Sequence, residues 1–100
     1  MEGQASISTD ILARYAGDAA LEVEGVRGLA ESPLPRRRPV RVADAGGSVR
    51  VEIHLVADWG APLPTVGRTV QQRVREYLGS MADVEPAAVD VVVDGIGPQP

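Results

Sequence analysis

Few side chains in this chain have the type and spacing that chemistry requires. His54 is its only histidine and cysteine is absent, so a zinc-type centre has neither a second imidazole nor a thiolate to complete it. Nothing in the spacing supports an all-carboxylate cation site. Asp90 and Asp94 sit on an expected strand at a separation of roughly 13 Å, too far for the paired acids of a glycosidase. There is no Ser–His–Asp arrangement and no phosphate-binding glycine loop. The expectation is a protein that is not an enzyme, with no cofactor and no metal, in which His54 is an outward strand residue.

Two stretches have residues suited to binding. Residues 32–50 hold five arginines and one acid, a local charge of +4 inside a chain of net charge −4. Arg36, Arg37 and Arg38 can pair bidentately with phosphate, a lipid headgroup or an acidic partner, or can keep a polar loop solvated. Gly25-Val26-Arg27-Gly28 has the GxxG form with which KH domains clamp a nucleic-acid backbone. The KH loop joins two helices, whereas here Glu22 and Glu24 precede it and a strand is expected after it. The acidic balance of the whole chain also argues against a nucleic-acid partner.

The segment DWGAPLPTVGRTVQQRV, residues 58–74, contains the only tryptophan. Pro62 and Pro64 suit a first helical turn, where the amides lack intrahelical partners, and Gly60 permits a sharp exit from a strand. By parity with Ile53 and Leu55, Trp59 is expected to point inward and close the end of the core. Arg68, Gln71, Gln72 and Arg75 fall off the apolar stripe and form a candidate exposed binding face. The segment reads as a joint between strand and helix.

The elements that position these residues follow from periodicity. Residues 8–23 read as a helix with Ile7, Ile11 and Tyr15 on one line and Leu12, Ala16, Ala19 and Val23 on the adjoining one. Ser8 or Thr9 can cap it, and Gly25 is placed to end it in a left-handed conformation. Residues 26–31 form a short strand, and three prolines in residues 33–39 break any regular element. Residues 40–43 and 49–57 alternate as strands, with DAGG at 44–47 as hairpin turn. Residues 62–81 carry Leu63, Val66, Val70, Val74, Tyr77, Leu78 and Met81 on one helical face. A last strand, 89–94, turns Val89, Val91 and Val93 in and Asp90, Val92 and Asp94 out.

The order helix-strand-strand-strand-helix-strand gives an α+β fold. It is expected to be a two-layer sandwich with both helices on one face of a three- to four-stranded mixed sheet. The 100 residues, 44% of them apolar and none of them Phe, suit a single domain with an aliphatic core over about residues 7–96. The other sheet face would carry Glu52, His54, Asp90 and Asp94. Val56 and Val92 also fall there, and with His54 they form the candidate interface. The N-terminus MEGQASISTD has neither the basic start nor the apolar run of a secretory signal. No stretch reaches the roughly 20 apolar residues of a membrane span. The chain is therefore expected to be cytoplasmic, without direct membrane insertion.

Three blocks in this order resemble the alkaline-shock-protein family. ISTDILARYAGDAALEVEGVRGL is similar to its opening helix with a V-x-G-V exit. VEIHLVADWGAPLPTVGRTVQQRVREYL is similar to its strand, aromatic-Gly and V-x-x-x-V-Q-x-x-V helix. MADVEPAAVDVVVDGI is similar to its closing strand. Together they cover residues 7–31 and 51–96; the arginine-proline stretch of residues 32–48 departs from the pattern. The resemblance implies a small non-enzymatic scaffold or adaptor in the cell-envelope stress response or homeostasis of Gram-positive bacteria. It further implies self-association as a homo-oligomer, docking to a small membrane-anchored protein, and thus membrane association through a partner. A second branch of the family implies an accessory subunit of a fatty-acid or dihydroxyacetone kinase-like enzyme. A KH-like RNA-binding module is the third reading, carried by the GxxG form.

Overall fold

The computed structural model describes residues 6–31 and 38–98. Helix α1 is Thr9–Leu21, followed by strands β1 (Val26–Leu29), β2 (Val40–Ala45) and β3 (Ser48–Ala57). Helix α2 is Leu63–Ala82 and strand β4 is Ala88–Ile96. The fold is α+β, in the expected element order. Arg36 and Arg37 lie outside the described residues.

β3 is the spine of the sheet. β1 and β2 pair antiparallel with it and β4 pairs parallel. The hydrogen bonds divide the two edges of β3. His54 and Asp58 bond toward the β1–β2 side, through Ala30, Pro39 and Gly25, while Val49 and Ala57 bond toward Ala87 and Gly97 around β4. β1 and β2 thus lie end to end along one edge. Ala30 N–H donates to the His54 carbonyl and His54 N–H donates to the Pro39 carbonyl. Ala30 of the β1 side and Pro39 of the β2 side thus both meet the midpoint of β3.

Local chemistry accounts for the turns. Gly46 and Gly47 both take positive φ, 63° and 88°, the conformation a two-residue hairpin between right-twisted strands needs. Asp44 Oδ1 accepts from Gly47 N–H at 3.0 Å. Ser8 caps α1, its side chain accepting from Ile11 N–H. Gly25 is left-handed, φ 95°, but it sits in the turn beyond the cap residue Glu22, so α1 ends earlier than the apolar pattern suggests.

The core joins one face of the sheet to both helices. Val51, Ile53, Leu55 and Ala57 of β3 are buried against Leu12, Ala16, Ala19 and Ala20 of α1 and Val66, Val70, Val74 and Leu78 of α2. Of the two lines of α1, the one holding small residues faces the core. Ile7 and Ile11 are exposed, and Tyr15 is half-buried beside Tyr77, their rings 6.0 Å apart. Alanines and Gly17 let the helix approach closely; a Cβ on Gly17 would sit 3.3 Å from Leu29 Cδ1. Met81, expected on the buried face of α2, is exposed because it lies in the last turn, beyond the buried run that ends at Leu78.

Candidate functional site

The face of the sheet opposite the helices carries the most densely arranged polar groups. The alternation of β3 sends Arg50, Glu52, His54 and Val56 outward, none of them buried. Parallel pairing sets Glu52 beside Asp90 and His54 beside Val92. Antiparallel pairing sets Arg41 beside Glu52 on the other edge. A register irregularity between Leu55 and Val56 places Asp94 next to His54.

His54 is clamped between two carboxylates. Its Nδ1 lies 2.8 Å from Asp94 Oδ2 and its Nε2 lies 3.0 Å from Glu52 Oε2. Both ring nitrogens donate when the imidazole is charged, so both contacts favour the cation. The Glu52 hydrogen bond leads, with Asp94 adding to it, and together they raise the histidine above its ordinary 6.5 against the smaller opposing effect of burial. The carboxylates bind opposite sides of the ring, and no group of three metal-ligating side chains converges among the described residues. His54 therefore bolts β3 to β4 by a salt-bridge chain. Its neighbours supply an apolar element: Val92 is 38% exposed, and Val56 is half-buried beside Gly28 of β1 and Gly95 of β4.

The other candidates are dispersed. Arg38 reaches the opposite layer, where its Nη1 donates to Asp10 Oδ1 at 3.0 Å on the first turn of α1. The expected exposed face of α2 divides. Gln71 Nε2 donates to the Val89 carbonyl at 3.0 Å and Arg75 Nη1 to the Pro86 carbonyl at 2.7 Å, so both tie α2 to the start of β4. Gln72 bonds Glu76 one helical turn on. Arg68 is exposed and has no ion pair among the described residues. Spacing alone could not separate Gln71 and Arg75 from Gln72, because the acceptors lie in a distant strand.

Two expectations are corrected. Trp59 does not close the core: it is 51% exposed. The strand ends at Ala57 and Gly60 turns the chain at φ 83°, so strand parity no longer applies two residues on. The Gly25–Gly28 stretch joins a helix to a strand, with Gly28 inside β1, and lacks the second helix of a KH clamp. Sequence reasoning missed the His54 clamp because the Asp94 contact depends on the β4 irregularity; Glu52 at i−2 on the same face was visible.

A mixed sheet with two helices on one face and a polar strip on the other defines a small α+β domain. A sequence model of the alkaline shock protein 23 family, described by a cell envelope-related function, matches residues 1–98, and the chain belongs to that family. It is 28% identical to the uncharacterized protein Spy1535 of Streptococcus pyogenes, with 94% of this chain and 79% of that protein covered. It is 24% identical to the uncharacterized protein YloU of Bacillus subtilis, covering 94% of this chain and 88% of that one. Among solved structures, MamM-CTD (residues 215–293) superposes with a TM-score of 0.59 at 14% identity, over 88% of this chain and 99% of that one. At that identity the likeness is one of fold. Among the described residues no helix is long and apolar enough to cross a membrane.

Proposed function

We propose that the protein is a non-enzymatic scaffold or adaptor in envelope stress or homeostasis, which self-associates and docks through its outer sheet face to a small membrane-anchored partner. Family membership supplies the envelope connection. The observation that carries the docking surface is the outer face itself. Val92 stands exposed between Asp90 and Asp94 on a sheet whose other side is fully served by two helices. An apolar centre with a charged rim is the usual anatomy of a protein interface. Arg41, Arg50, Glu52, Asp90 and Asp94 supply that rim. The reaction-bearing alternatives lack support from geometry: the one imidazole is engaged at both nitrogens.

Crosslinked pull-down of tagged protein from its native cells, resolving membrane and soluble fractions, tests this reading. A small membrane-anchored protein should dominate the catch and be lost with Val92→Asp, while the variant keeps its circular dichroism and unfolding midpoint. A catch unchanged by Val92→Asp removes the outer face as the docking site. A soluble kinase-like protein in its place supports the accessory-subunit reading instead.

A further inference from the structure

A second surface lies where β3 turns into α2. An open hollow of about 570 Å³ is lined by Val23, Gly25 and Val66 at its floor, with Glu24, Asp58 and Trp59 among the residues around it. Gly25 makes it possible. A Cβ there would stand 2.7 Å from Val66 Cγ2, so only glycine lets the exit of α1 lie against the first turns of α2. Asp58 N–H donates to the Gly25 carbonyl at 2.8 Å and Ala61 N–H to the Asp58 carbonyl at 3.1 Å. Those bonds hold Trp59 on a closed corner.

An exposed indole beside two carboxylates suits a guanidinium. The ring face attracts the cation, and the carboxylates accept its fork of N–H groups. The resident base is a weak competitor: Arg27 Nη1 is 3.9 Å from Asp58 Oδ1, with both side chains about half exposed. Glu24 has no ion pair among the described residues.

The chain itself carries the complementary group, three consecutive arginines in an otherwise acidic protein. Within one copy the described end of that segment, Arg38, lies by the opposite end of α1 from the hollow. Arg38 is held on Asp10 in the first turn of α1, whereas the hollow lies past the last turn, a helix length of about 20 Å away. We propose that the Trp59 hollow receives the Arg36–Arg38 segment of a second copy of this chain in a head-to-tail contact. This rests on the reading that the protein self-associates, and gives that association a surface separate from the outer face. Because each copy both offers arginines and presents a hollow, the contact is heterologous; it extends into a filament or closes into a ring.

Sedimentation of the full chain across a concentration series, at low and high salt, tests the contact. Two variants are made: Glu24→Arg with Asp58→Arg, which reverses the hollow, and Arg36→Glu with Arg37→Glu and Arg38→Glu, which reverses the donor segment. Circular dichroism checks that each is folded. Wild type is expected to grow beyond a dimer and to dissociate at high salt. Each variant alone should associate at least about tenfold more weakly. An equimolar mixture should recover association, since the unaltered arginines of one variant meet the unaltered hollow of the other and the reversed segment meets a hollow of opposite charge. Trp59 is the sole tryptophan, so its emission should shift when wild type assembles. Wild type that assembles while both variants assemble equally well overturns the contact and leaves self-association standing. Variants that fail singly and associate no better in the mixture than either does alone also overturn it. Wild type that stays monomeric throughout removes self-association and the contact together.

Discussion

At the scale of single residues, His54 is held by a carboxylate at each ring nitrogen, Asp94 at Nδ1 and Glu52 at Nε2. An outward histidine on a strand is unremarkable by pattern, yet its two carboxylate contacts make it the one side chain whose charge responds near neutrality. The sign of the effect follows from the raised value. In the unfolded chain the imidazole titrates near 6.5; in the folded protein it titrates higher. The clamp thus contributes stability in full below pH 6.5, and that contribution is lost as pH rises through the folded value. Because His54 is the only histidine, its ring proton resonance reports the titration without ambiguity, and the midpoint is expected above 6.5. Urea midpoints measured across the same range should fall for wild type and run flatter for His54→Gln. A midpoint at or below 6.5, or equal slopes in the two proteins, would show that the clamp is not formed in solution. Gly25 makes the opposite kind of case, a residue whose role was half visible. The sequence suggested a left-handed glycine, and the structure adds the Val66 contact at 2.7 Å. Gly25→Ala should therefore cost about 1–3 kcal/mol, from the strained φ and the overpacking together, measured by urea unfolding.

At the scale of elements, α2 was the most legible part of the chain, and for a physical reason. Its buried residues Val66, Val70, Val74 and Leu78 keep strict helical spacing, because one long helix must present one stripe to the sheet. Leu78→Ala should lose about 2–5 kcal/mol, being fully buried at the centre of the core. α1 was harder to read because two apolar lines compete on it. The larger residues Ile7 and Ile11 suggest one face, yet close packing selects the line of small residues. The end of α2 shows what a spacing argument leaves out. Asp83 takes the left-handed C-cap position, φ 53°, and its N–H bonds the Gly79 carbonyl. Glycine occupies that conformation without a Cβ penalty. Asp83→Gly is thus expected to raise stability by about 0.5–1 kcal/mol, read as a higher thermal midpoint. Trp59 and Gln71 depart from their spacing for the same reason: the exposure of one and the strand contact of the other depend on where a strand ends and what lies across from it, which is tertiary information.

At the scale of the whole molecule, the two interaction surfaces sit on different structural supports. The outer face is built on the midsection of β3 and β4, locked by His54 between Glu52 and Asp94. The hollow is built on the α1 exit and the β3–α2 corner, locked by the Gly25–Asp58 bond. Neither shares a side chain with the other. Substitutions confined to each should therefore act independently, as distant sites without common partners do. Val92→Asp should abolish capture of the membrane-anchored partner and leave the concentration dependence of sedimentation at its wild-type value. Glu24→Arg with Asp58→Arg should show the converse, monomeric protein that still captures soluble, detergent-extracted partner at its wild-type level. The combined variant should lose both. Measuring sedimentation and capture on these three proteins and the wild type completes a double-mutant cycle. A coupling term larger than about 0.5 kcal/mol would mean that association and docking share one surface, and would place both on whichever face the single variants show to be dominant.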